Sequence, residues 1–328
     1  MSEKSQIDVM LYGLGAIGSF YAFILSRSER VRLTVVARSN YEAVKANGLL
    51  VRSENHGNHL VRPYKVVKSP TEAGATYDFI VCANKAIDQP SLPDNLAPAV
   101  DETKSTVVLI QNGVGIEEPI RERWPGVTII TCVTWVGARQ NEPGIVHHTK
   151  WENTQMGLFS NSVNDSSLEQ SRLESFCDLL RVGGTPFSVE PNIQVERWEK
   201  VVWNAAWNSL TALTGLDSHS WLAMSPETEP LTRRLMGEVV AVAQACGVPV
   251  TDDVVDRLLE KTMSVHTFGS STFADYKAGR PMEIDVFLGY PYRKGRELGL
   301  PIPLLEFTYM VLVANNNRFM GIIESKIW

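Results

Sequence analysis

The chain has 328 residues and a net charge of -6; 44% of its residues are hydrophobic and 21% charged. This is the balance of an ordinary soluble globular protein long enough for two domains. The acidic excess argues against nucleic-acid binding, which needs a basic surface, but leaves room for a local basic pocket.

The N-terminus, MSEKSQ, is polar, and no apolar run is long enough to cross a bilayer. Neither a secretory signal nor a membrane span is expected, and a cytoplasmic protein is the default reading. Strand and helix signals then alternate. IDVMLY reads as a strand, SFYAFILSRS as a helix, VRLTVVAR as a strand, and SNYEAVKANG as a helix ended by Gly48. Residues 49–67 suggest a hairpin or irregular strands, with the turn near Asn55 to Asn58. YDFIVCAN, STVVLIQNG and VTIITCVTWVGA read as further strands, and GIVHHT and TQMGLFS as strands of different, antiparallel character. Repeated βα units in this order predict an α/β fold with a doubly wound, mostly parallel sheet. After FSVEPN the periodicity is helical nearly to the end, with helices expected around 195–214, 227–246, 251–264, 270–278 and 283–298 and after Pro303. A boundary near Pro191 divides residues 1–190 from an all-α domain of residues 191–328. Cys82, Cys132, Cys177 and Cys246 form no CxxC pair, which suggests a reducing compartment and no metal site.

Gly13-Leu14-Gly15-Ala16-Ile17-Gly18 falls between the first strand and the first helix. The first glycine permits a tight turn, the second lets backbone approach a pyrophosphate, and the third lets helix and strand pack closely. In this strand–turn–helix context the pattern points to a dinucleotide. The second strand ends in Ala37-Arg38-Ser39-Asn40, without the acidic residue that would bind the ribose of NAD. A guanidinium beside hydroxyl and amide groups suits a 2′-phosphate, so NADP(H) is expected. Two more strand ends, Asn84-Lys85 and Gln111-Asn112-Gly113, would face the same crevice. Lys85 could reach phosphate or ribose and Asn112 the nicotinamide or substrate; either could also be a turn residue.

In WEKVVWNAAWNSLTAL, Lys200, Asn204, Asn208 and Thr211 share an arc of about 80° on a helix whose other positions are almost all apolar. Such a helix must be buried over most of its circumference, and its narrow polar strip needs polar partners. A substrate would supply them; a solvated face is the alternative. His147-His148 reads as a strand-end pair on opposite faces rather than a metal site. Trp198, Trp203 and Trp207 read as core rather than as a pocket wall.

GLGAIG, the Lys85 segment, QNGVG, EKVVWNAAWNSLTAL and SSTFADYKAGRPMEIDVFLGYPYRKGRELGLPIP occur in this order over nearly the whole chain. Together they resemble the ketopantoate reductase family of NADPH-dependent 2-keto acid reductases, which have a Rossmann domain and a helical domain. The resemblance implies Lys200 as general acid and Asn204 and Asn208 at the substrate's polar end. It implies Asn112 between nicotinamide, substrate and lysine, and Ser271 on the substrate carboxylate. Glu283 would contact cofactor and lysine, and Asp275 would support the site. Four features depart from the family pattern: Ser218, Phe268 and Leu288 stand where Asn is common, and Gln89 lies one residue beyond its expected spacing from Lys85. Tyr290-Pro291 also interrupts an expected helix. These changes suggest more apolar bulk around the substrate. The implied reaction is reduction of a small-molecule 2-keto acid, ketopantoate to pantoate in the first instance, by hydride transfer; a related 2-hydroxy acid dehydrogenase working with NAD or on a bulkier substrate is the alternative. A non-catalytic NADPH sensor would not need Lys200, Asn204, Asn208, Ser271 and Glu283 together. A homodimer through the helical domain is compatible with the sequence.

Overall fold

The computed structural model describes residues 6–265 and 270–319. They fall into two compact units, one of residues 1–111 and 116–193, the other of residues 112–115 and 194–328.

Among the described residues the first unit holds twelve strands: β1 (Ile7–Tyr12), β2 (Val31–Val36), β3 (Leu49–Ser53), β4 (Gly57–Val61), β5 (Lys65–Val67), β6 (Phe79–Cys82), β7 (Thr106–Leu109), β8 (Thr128–Thr134), β9 (Ala138–Glu142), β10 (Ile145–His148), β11 (Thr154–Leu158) and β12 (Phe187–Val189). Its helices are α1 (Ala16–Ser26), α2 (Tyr41–Asn47), α3 (Pro70–Ala73), α4 (Leu92–Leu96), α5 (Glu118–Arg123) and α6 (Ser166–Gly183). The main sheet runs β12-β11-β8-β7-β6-β1-β2-β5. From β5 to β8 every pairing is parallel. That stretch has the doubly wound order in which the chain reverses between β1 and β6. Its inner strands β6, β7 and β8 are buried along their whole length, as strands covered on both faces must be. The antiparallel partner of β8 is β11.

Several features go beyond the expected elements, among them the short helices α3, α4 and α5 and the strand β12. The hairpin β3–β4 forms, but it belongs to a separate four-stranded sheet, β4-β3-β10-β9, in which β10 lies parallel to β3. The 18-residue α6 was not anticipated, although Asp165 caps its N-terminus and Gly184 closes it in the left-handed conformation.

The second unit contains α7 (Ile193–Thr214), α8 (Ser218–Ala223), α9 (Thr228–Ala245), α10 (Val254–Ser264), α11 (Ser271–Lys277), α12 (Tyr290–Glu297) and α13 (Pro303–Phe319). Helix α9 packs against α8, α10, α12 and α13. Every residue from Val201 to Ala212 is buried, so α7 is enclosed on all sides as its composition requires. Tyr290-Pro291 does not break its helix. A π-helical stretch, Asp285–Gly289, leads directly into α12, so the chain passes Pro291 through a locally widened turn without ending the helix.

Candidate active site

In the first unit the three glycines of the turn have separate physical reasons. Gly13 has φ 100°, and a Cβ there would collide with the Asn84 backbone that follows β6. A Cβ on Gly18 would collide with the Gly13 carbonyl and lie 3.2 Å from Leu11 Cδ2, so helix and strand could not close. Gly15 is exposed at the head of α1, and a Cβ on it would meet nothing within 4 Å. The turn is therefore tight where it packs and open where a ligand phosphate would approach the helix N-terminus. The residues present fit a dinucleotide phosphate group.

Arg38 is exposed two residues beyond the end of β2. Burial raises the pKa of the Tyr12 hydroxyl at the end of β1, and the charge of Arg38 opposes that rise, which puts the guanidinium near the strand ends. Ser39 is also exposed. Asn40 is not available as a phosphate ligand, contrary to expectation: it is 4% exposed, and its amide is engaged by Leu14, Gln140 and Gly144. Lys85 is exposed after β6. Gln89 is buried and pairs reciprocally with Gln111 at 3.0 and 3.2 Å, while Gln111 Nε2 also donates to the Asn84 carbonyl at 3.0 Å. The two glutamines thus tie the Lys85 loop to the segment after β7. His147 and His148 do not form a metal pair: His148 is buried against Ser53 Oγ at 2.8 Å, and His147 is half-buried. Among the described residues no cluster of His, Cys, Asp and Glu could hold a metal ion.

In the second unit the segment Asn112–Gly115 docks on the helical residues around it. Val114 N donates to Val286 O at 3.0 Å. Gly113 and Gly115 have φ 97° and 72°, and side chains there would collide with Val286 and the Tyr290 ring. This close approach, rather than turn chemistry alone, accounts for the glycines of QNGVG. Arg197, 2% exposed on α7, donates through Nη1 to Gly113 O at 2.7 Å. It therefore anchors the half-buried Asn112 beside the helix that carries Lys200.

Lys200 keeps some accessible surface, yet its pKa falls from 10.5 to about 7. Burial is the largest cause, the charges of Arg197 and Lys261 push the same way, and Glu283 opposes them. Glu283, just before the π-helical stretch, is thus electrostatically coupled to the lysine. Arg197 and Lys261 were not singled out from sequence. Arg197 had a legible signal, since a second cation three residues before Lys200 must share its helix face; Lys261 lies on α10, remote in sequence. Lys261 Nζ sits 5.5 Å from the Trp203 ring centroid. Trp198, Trp203 and Trp207 are themselves buried, as core residues.

Asn204 and Asn208 are 6% and 8% exposed. Asn204 Nδ2 is buried without a hydrogen-bond partner, a cost of about 1–3 kcal/mol that a ligand acceptor would remove. Thr211 does not belong with them as a free group. Its hydroxyl pairs with the α7 carbonyl of Trp207 at 2.5 Å and with Ser270 Oγ at 2.9 Å. Ser270 in turn caps α11 by accepting from Phe273 N, and leaves Ser271 exposed as the first residue of that helix. Asp275 is buried and accepts from Arg280 Nε at 3.0 Å. Ser218 and Leu288 have no accessible surface, so both are packed inside the unit. Phe268 lies outside the described residues.

Comparisons with known proteins cover nearly the whole chain. Residues 9–161 match the family Ketopantoate reductase PanE/ApbA, and residues 192–316 match Ketopantoate reductase PanE/ApbA C terminal. The chain is 28% identical to a 2-dehydropantoate 2-reductase from Nostoc sp. over 302 residues, 91% of this chain and 92% of that one. It superposes on the crystal structure of 2-dehydropantoate 2-reductase from Methylococcus capsulatus with TM-score 0.84 and 31% identity, covering 95% and 98% of the two chains. D-mandelate dehydrogenase, solved with NADH and anilino(oxo)acetate, gives TM-score 0.83 over 96% and 100% of the chains. At 19% identity that likeness speaks to the fold alone.

Proposed function

The chain belongs to the ketopantoate reductase family of pyridine-nucleotide-dependent oxidoreductases, and from that premise we propose that it reduces a 2-keto acid to a 2-hydroxy acid with NADPH. The substrate of first choice is 2-dehydropantoate, giving pantoate. The single observation that carries the reading is an enclosed helix presenting a lysine of pKa about 7 in the same strip as an amide nitrogen with no hydrogen-bond partner.

In this reading Gly13, Leu14, Gly15, Ala16, Ile17 and Gly18 hold the cofactor pyrophosphate through backbone. Arg38 meets the 2′-phosphate, and Lys85 the phosphate or ribose. When bound, the dinucleotide supplies a hydride to the ketone carbon and is itself oxidised. The ketone oxygen gains negative charge as that bond forms, and a cation placed there lowers the barrier. Lys200 transfers its proton to this oxygen, completing the alcohol and leaving a neutral amine to be reprotonated from water. A lysine of ordinary pKa would give up that proton reluctantly; one near neutrality is matched to the task. Glu283 offsets part of the depression, so that the ammonium is still populated near pH 7. Asn204 and Asn208 donate to the substrate's polar end, Ser271 meets its carboxylate, and Asn112 orients nicotinamide and substrate.

Oxidation of NADPH and of NADH, followed with 2-dehydropantoate and with several bulkier 2-keto acids, tests the proposal. NADPH oxidation with at least one of them is expected. No oxidation with any would sink the reductase reading, and a clear preference for NADH would sink the role of Arg38.

A further inference from the structure

Asn40 is an asparagine at the start of a helix that does not cap it. It occupies the N-cap position of α2, but its side chain makes no capping bond there, although capping is the usual reason for asparagine at this position. Instead the amide turns inward. Nδ2 donates to the Leu14 carbonyl at 2.5 Å and to Gln140 Oε1 at 2.8 Å, and Oδ1 accepts from Gly144 N at 3.2 Å. The glycine turn after β1 is thereby tied to β9 and to the turn between β9 and β10.

The consequence follows from peptide geometry. In a trans peptide the carbonyl and the next N–H point in opposite directions across one rigid plane. With the Leu14 carbonyl held inward by Asn40, the N–H of Gly15 is aimed outward. It emerges at the exposed head of α1, where a Cβ would meet nothing within 4 Å. The Leu14 carbonyl could alternatively receive the N–H of Gly18, four residues on, and start the helix one residue earlier. It does not; the first backbone bond of α1 runs from Ser19 N to Gly15 O at 2.8 Å. Gln140 shows a cost consistent with this duty, since its Nε2 is buried without a partner while its Oε1 serves Asn40.

We propose that Asn40 is a positioning residue for the cofactor: it orients the Leu14–Gly15 peptide so that the Gly15 N–H faces the pyrophosphate, with Gln140 and the β9–β10 turn bracing it. The second sheet of the first unit thus contributes to dinucleotide affinity through one side chain. Arg38, two residues away, reads the 2′-phosphate independently. The proposal rests on the dinucleotide reading given above, and separates from it experimentally.

The test is a binding titration of NADPH and of adenosine 2′-monophosphate, which carries the 2′-phosphate but no pyrophosphate. Each is titrated into the wild-type chain and into Asn40→Leu, a near-isosteric uncharged replacement. Loss of one charge-assisted hydrogen bond corresponds to about a tenfold or greater rise in the NADPH dissociation constant. The affinity for adenosine 2′-monophosphate should stay within about twofold, a difference within measurement scatter on the same scale. Arg38→Ala should weaken both ligands. If Asn40→Leu does not fold, Gln140→Leu keeps the bond to Leu14 but removes its brace, and should weaken NADPH about threefold, under 1 kcal/mol. A folded Asn40→Leu that binds NADPH normally, an equal loss for both ligands, or an unchanged Gln140→Leu in the second case overturns the proposal. A wild-type chain that binds no NADPH overturns the dinucleotide reading with it.

Discussion

The glycine turn of the first unit and helix α7 of the second meet the demands of function in opposite ways. The turn is made of backbone. Its glycines are set by close packing at Gly13 and Gly18 and by openness at Gly15, and the Gly13 N–H and the Leu14 carbonyl are paired with Val36 O and Asn40 Nδ2. Helix α7 is made of side chains held at a cost. Lys200 is pushed from 10.5 to about 7, chiefly by burial, and Asn204 carries a buried, unpaired donor. A backbone site is stable before its ligand arrives, whereas a buried side-chain site is stabilised by the ligand. The first should tolerate changes that leave packing alone. The second should gain stability from the substitutions that abolish its activity.

The largest expected effect lies in the second region. Lys200→Ala should lower the turnover number by about 10²–10⁴-fold, the range for a lost general acid, with NADPH affinity nearly unchanged. Turnover that survives would place the proton donor elsewhere.

The turn offers the next contrast, between two glycines three residues apart. Gly15→Ala places a methyl in open space at an ordinary φ of -80°, so the melting temperature should hold while NADPH affinity falls. Gly18→Ala should lower the melting temperature by several degrees, about 1–3 kcal/mol for an overpacked contact. Equal thermal behaviour of the two variants would break the division between packing and ligand-facing glycines.

The pH dependence of reduction sharpens the α7 side. The donor must be protonated, so activity should be present below a pKa of about 7 and be lost as pH rises through it. Arg197 lowers that pKa by its charge. Arg197→Met should therefore move the alkaline fall of kcat/KM to higher pH, whatever it does to the maximum through its bond to Gly113. A fall at unchanged pH would remove Arg197 from the electrostatics of Lys200.

The smallest effect is on stability. Asn204→Leu removes the unpaired donor, and the unliganded protein should melt at the same or a slightly higher temperature while KM for the keto acid rises. A marked loss of stability would mean that the amide has a structural role.

Much of this was readable from local pattern. The alternation of elements, the helices after residue 193 and the enclosure of α7 follow from periodicity, which is a short-range property. Helix α6 is also encoded locally, in its Asp165 cap and in apolar positions at Leu173, Phe176, Cys177 and Leu180. The parallel pairing of β10 with β3, nearly a hundred residues apart, leaves no mark in either segment.

Composition and spacing by themselves determined the fold class, the glycine turn and the polar strip, because each depends on residues within a few turns or one strand of each other. Only the tertiary structure decided that Asn40 serves Leu14 rather than a phosphate, that the QNGVG glycines answer to Val286 and Tyr290, and that Lys200 titrates near neutrality. Those outcomes depend on which distant atoms fill the space around a group. Hydrogen-bond satisfaction, steric contact and desolvation all act through that space, irrespective of distance along the chain.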